Sequence, residues 1–203
     1  MPQSLDYLKE TASQTAGPYV HIGLAPGAAG FQIFDQELGQ EIAGPNAAGE
    51  RITIKGRVID GTGAPVKDVL LETWQANAAG VYAHAEDPRH AQVEDGFRGW
   101  GRVITNFETG DFTFDTIKPG SVRGRNGSTQ APHISIWIVA RGINVGLNTR
   151  MYFDDEDNSA DPVIKLIEQQ HRRETLLAKR QSDGTYLFEI YLQGDKETVF
   201  FDV

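Results

Sequence analysis

The chain of 203 residues contains no cysteine. That excludes disulfides and thiolate metal sites, and it suits a reducing cytoplasm. No apolar run approaches the ~18 residues of a membrane span. The first residues, MPQSLDYLKETASQ, have neither the apolar centre nor the small-residue cleavage site of a secretory signal, so a cytoplasmic location is expected. Excess positive charge is absent too. The formal net charge of −9 argues against nucleic acid, which needs a basic stripe to displace counterions. Nor is there a G-x-S-x-G elbow or a phosphate-cradling P-loop, so neither a serine hydrolase nor a nucleotide site is supported. The segment 124–127 is a loop.

What is present is strand signal. Residues 131–141, APHISIWIVAR, read as a buried strand ended by Gly142. Alternation puts His133, Ser135 and Trp137 on one face and Ile134, Ile136 and Ile138 on the other. Two His at positions 133 and 135 would lie ~6.5 Å apart on one face and could chelate a metal. This chain has one His followed by a serine. Residues 51–59 alternate as a half-buried strand, 69–75 read as a second, and 147–153 as another. Strands 100–105 and 112–117, bracketing a turn at 108–111, read as a hairpin, and 176–180 and 186–192 as strands joined by the turn 182–185. One short helix is expected at 162–168, with Pro162 suited to a helix start and Val163, Ile164 and Ile167 on one face. Residues 25–50 form a long loop with at most a short strand or turn at 31–34, and 83–98 a polar loop holding His84 and His90. The sum is an all-β chain: a β-sandwich of mixed and antiparallel sheets with long loops and one short helix. We expect one domain overall, with 1–50 an N-terminal arm and loops and 51–203 the sandwich.

Charge is unevenly spread. Asp154, Asp155, Glu156, Asp157 and Asp161 form an acidic run, and Arg172, Arg173, Lys179 and Arg180 a basic one. Both suit solvated surface, and the basic group also suits a subunit contact. The leader ends in Thr15-Ala16-Gly17-Pro18-Tyr19, where Gly-Pro sets a bend. Its residues alone fit a terminus with one aromatic tucked onto the domain, or an arm reaching a neighbour's pocket.

Three landmarks occur in order, each beside a strand end: Gly80-Val81-Tyr82, Thr116-Ile117-Lys118-Pro119-Gly120 and Ala131-Pro132-His133-Ile134-Ser135. With SQTAGPYVHIGL, WQANAAGVY, GWGR, STQAPHISIW, ARGIN, YFDDE, RRETLLAKR and ETVFFDV, they make the chain resemble the intradiol ring-cleavage dioxygenases over nearly its whole length. The resemblance implies a family template: a mononuclear Fe(III) held by two tyrosinates and two His, with a nearby arginine offsetting charge on the substrate. Carried over position by position, Tyr82 matches the first tyrosinate and His133 the first His. Val122 stands where the second Tyr belongs, Ser135 where the second His belongs, and Gln130 in the arginine's place. Tyr82 and His133 are therefore read as remnants, with no metal and no catalytic residue on this chain.

The resemblance further implies an iron-bearing, homologous β subunit as partner within a higher αβ oligomer, with protocatechuate and O₂ as substrates in aromatic-compound breakdown. It places Thr15, Gly17, Pro18 and Tyr19 along the β chain's substrate pocket. Arg141 is expected near the remnant cavity, where it could hold a carboxylate or pair with the acidic loop near Asp154. Two rival readings remain at this point: a plain binding or structural sandwich, and an enzyme using another metal arrangement with His84 or His90.

Overall fold

The computed structural model describes residues 14–124 and 127–202; residues 1–13 of the expected arm, and Arg125 and Asn126, lie outside them. Ten strands are present among the described residues: β1 (Arg51–Ile59), β2 (Leu70–Gln75), β3 (Trp100–Ile104), β4 (Asp111–Ile117), β5 (Val122–Arg123), β6 (Thr129–Gln130), β7 (His133–Val139), β8 (Leu147–Phe153), β9 (Leu177–Arg180) and β10 (Tyr186–Tyr191). Eight of them form one mixed sheet in the order β3-β2-β7-β8-β9-β10-β1-β4, and β5 and β6 pair apart.

The sheet folds over on itself at β9. This four-residue strand joins β8 in parallel through two residue pairs and β10 antiparallel through two more. On either side lie the leaves β3-β2-β7-β8 and β10-β1-β4. Their inner faces close on one core, in which Ile134, Ile136 and Ile138 of β7 meet Ile52, Ile54, Phe112, Phe188 and Ile190. Burying this apolar set is what holds two leaves together. Gly56 is a point of close approach: a Cβ there would overlap the Phe188 carbonyl oxygen and the Phe112 ring.

Two expectations are corrected. The strands at 100–105 and 112–117 exist but do not form a hairpin. β3 pairs with β2 and β4 with β1, at opposite ends of the strand order. The Asn106–Asp111 turn crosses between the leaves: Asn106 N donates to Asp111 O, and Asn106 Oδ1 accepts from Glu108 N and Thr109 N. The expected helix at 162–168 is only a 3-10 turn, Ile164–Leu166. The buried Asp161 carboxylate captures the Val163 and Ile164 N–H groups, Ile164 sinks into a cluster with Ala131, Tyr152 and Leu176, and the chain extends at Ile167. Among the described residues the α-helices are α1 (Pro18–Leu24) and α2 (Gln170–Glu174). Pro18, read as a bend, occupies the first helical position, where its missing N–H costs nothing. Among the described residues no helix is long and apolar enough to cross a membrane.

Candidate functional site

β7 places His133, Ser135 and Trp137 on the outer face of its leaf, with the three Ile residues in the core, as alternation requires. Antiparallel register then sets their neighbours. Ser135 is flanked by Trp74 on β2 and Arg150 on β8, and Trp74 by Trp100 on β3. The outer face therefore carries one row across four strands, Trp100–Trp74–Ser135–Arg150. The next rows place Tyr152 beside His133 and Asn148 beside Trp137.

The residues singled out from the sequence converge here. Tyr82 stacks on Trp74, with ring centroids 5.8 Å apart and planes 3° from parallel. Gly80 has φ +70°, and a Cβ there would overlap the Ser121 carbonyl oxygen, so the turn that presents Tyr82 requires glycine. Val122 lines the same cleft as Tyr82 and pairs with Gln130 between β5 and β6. His133 is buried and its Nδ1 donates to Ala131 O at 2.8 Å, which fixes the neutral tautomer. Burial, and next the charge of Arg150, push its pKa down to about 4, against weaker opposition from the Ala131 carbonyl and Asp161. Burial likewise raises the Tyr82 and Tyr152 phenols, with Arg150 pulling the other way.

Arg150 was not singled out from the sequence, yet it links the remnant positions. Its Nη1 donates to Gln130 Oε1 and lies 3.5 Å from the Tyr152 hydroxyl, which donates to Asp161 Oδ1. Asp161 is buried and also accepts from three backbone N–H groups, those of Ala131, Val163 and Ile164. Only the register of β8 against β7 reveals this placement of Arg150.

This donor set does not fit a ferric ion. Val122 offers a hydrocarbon, Ser135 a neutral hydroxyl, and a guanidinium stands among the positions instead of a fourth anionic or imidazole donor. Among the described residues no three His, Asp or Glu side chains are grouped to hold a metal. His84 and His90 are exposed, His84 edge-on to Trp74 and His90 bonded to Asp87 O.

The arm residues form a second group. Thr15 Oγ1 accepts from Gly142 N at 2.7 Å and donates to Ala140 O at 3.4 Å, tying the arm to the end of β7. Gly17 caps α1 in an extended conformation, and Tyr19 stands 85% exposed. Pro18, His21, Asp68, Phe107 and Arg141 line a cleft of about 1040 Å³. Arg141 thus sits with the arm and away from the remnant positions. It follows the far end of β7, eight residues from His133 and so about 26 Å along extended chain. Its ion pair is with Asp68, not with the acidic loop near Asp154, which lies at the His133 end. That loop is not free surface: Asp155 pairs with Lys118 and Arg180.

Comparison with known proteins places this architecture. Residues 28–194 match the family model described as Dioxygenase. Over 203 residues the chain is 51% identical to the protocatechuate 3,4-dioxygenase alpha chain of Pseudomonas putida, covering 98% of each. Over 160 residues it is 37% identical to the beta chain of Burkholderia cepacia, covering 74% of this chain and 67% of that one. The solved intradiol ring-cleavage dioxygenase from Tetranychus urticae shares the fold at 17% identity and a TM-score of 0.56, over 81% of this chain and 93% of that one. With the remnant landmarks in register on a two-leaved sandwich, this chain belongs to the intradiol dioxygenase family.

Proposed function

We propose that this chain is the non-iron-binding α subunit of a protocatechuate 3,4-dioxygenase. In complex with a homologous β subunit it supports O₂-dependent intradiol cleavage of protocatechuate to 3-carboxy-cis,cis-muconate, in the cytoplasm. The observation that carries this reading is the pairing of full-length likeness to an alpha chain with a donor set unfit for iron. The Fe(III) belongs on the β chain, where it makes the catechol reactive toward O₂.

This chain's own contribution is its arm. Thr15 anchors the arm, Gly17 and Pro18 set the start of α1, and Tyr19 projects outward. Exposed Phe31, Ile33, Phe34 and Leu38 follow on the same segment, an apolar stretch suited to a partner chain. We assign Thr15, Gly17, Pro18 and Tyr19 to the wall of the β substrate pocket. Arg141, with its side chain largely exposed beside the arm, is the candidate to meet a carboxylate there.

The test is reconstitution. The chain alone is expected to be colourless, iron-poor and inactive, and mixing with a cognate β chain is expected to give ring cleavage with one iron site on β. Stoichiometric iron with tyrosinate-to-iron colour on the isolated chain would refute the assignment, and so would a β mixture no more active than β alone.

A further inference from the structure

The row Trp100–Trp74–Ser135–Arg150 lines a cleft of about 670 Å³, which Trp137, Asn148, Leu166 and Phe201 also border. All three tryptophans of the chain face it. Ser135 is the one small residue in the row, so it leaves a slot between the Trp74 indole and the Arg150 guanidinium. Trp74 and Arg150 lie two strand spacings apart, about 9.6 Å, which leaves room for one flat ring between them.

Arg150 makes no ion pair among the described residues. Its hydrogen-bond partners are neutral oxygens, those of Gln130 and Tyr152. The Asp161 carboxylate reaches it only through the Tyr152 hydroxyl and is itself held by three N–H donors. The acidic groups on the rim do not compensate either: Glu72 is paired with Arg102, and Asp202 is exposed to water. His133 stays neutral beside it. A half-buried guanidinium without a direct ion pair, next to indole faces, has the chemistry of a planar carboxylate receptor.

We propose that this outer-face cleft, which shares only Ser135 with the remnant ligand positions, takes a planar aromatic carboxylate between Trp74 and the Arg150 guanidinium. The carboxylate accepts from Arg150, the ring lies along Trp74 over Ser135, and Trp100 and Trp137 close the sides.

Tryptophan fluorescence of the isolated full chain, titrated with benzoate, tests this directly. A saturable change is expected, with benzoate at least tenfold tighter than neutral benzamide or ringless acetate. Arg150→Gln should weaken benzoate at least tenfold and Arg150→Lys less, with unchanged circular dichroism. Should Arg150→Gln not fold, Ser135→Phe fills the slot with Arg150 kept, and it should abolish binding. No saturable signal, equal affinity for benzamide, or unaltered binding in the variant that folds overturns the proposal. Equilibrium dialysis of the αβ complex with labelled benzoate separates a free ligand from a partner's side-chain carboxylate. The wild-type complex should bind one more benzoate per αβ unit than the Arg150→Gln complex, and equal counts overturn the proposal.

Discussion

Ser135 and Arg150 face each other across β7 and β8, so a guanidinium stands beside the position where the family's second His would be. Removing donors and adding a cation act in the same direction on metal binding. Two charges of like sign ~5 Å apart repel by several kcal/mol at an effective dielectric near 20.

Restoring donors alone is therefore expected to fail. Val122→Tyr with Ser135→His should leave the chain iron-poor, and adding Arg150→Gln should raise the iron-to-protein ratio and bring tyrosinate-to-iron absorption. Full iron loading of the double variant would show that Arg150 is no obstacle.

The arm makes a kinetic prediction. Tyr19→Ala should raise the KM for protocatechuate of the αβ enzyme about fivefold with kcat little changed, since it removes a contact rather than a reacting group. Thr15→Val removes the hydrogen bonds to Gly142 and Ala140, worth about 1 kcal/mol, and should shift KM in the same direction. Steady-state oxygen uptake measures both, and an unmoved KM takes the arm out of the pocket.

His133 gives the chain a pH signature. Its pKa is 6.5 when unfolded and about 4 in the fold. Between those values the unfolded chain binds a proton that the folded chain refuses, so stability falls as pH drops from 6.5 toward 4, by about 3 kcal/mol in all. Urea unfolding across this range should show the fall, and His133→Asn should remove most of it.

Asp161 and Gly56 mark two structural limits. Asp161→Ala strands four donors in a buried site and should cost about 3 kcal/mol or more, read from the urea midpoint. Gly56→Ala drives a methyl into the β10 backbone and the Phe112 ring, and a loss of about 2 kcal/mol or more is expected.

Much of this molecule was legible in its residues. Alternation alone put His133 and Ser135 outside and three isoleucines inside, because side-chain direction in a strand has a period of two whatever the strand pairs with. That Val122 and Ser135 stand at ligand positions came from the family resemblance alone; the residues add only that a hydrocarbon cannot ligate and that a neutral hydroxyl is a poor ligand for Fe(III). The strands near 51–59, 69–75 and 186–192 declared themselves by the same period. Which strand lies beside which did not, because pairing is a choice among distant partners made by the whole core. That choice turned an apparent hairpin into the two ends of one sheet, sent Arg141 to the arm's cleft, and set Arg150 three strands along from Trp100. Asp161, read as part of a solvated acidic run, became a buried hub for the same reason: burial is a property of the packed chain, and no local pattern encodes it.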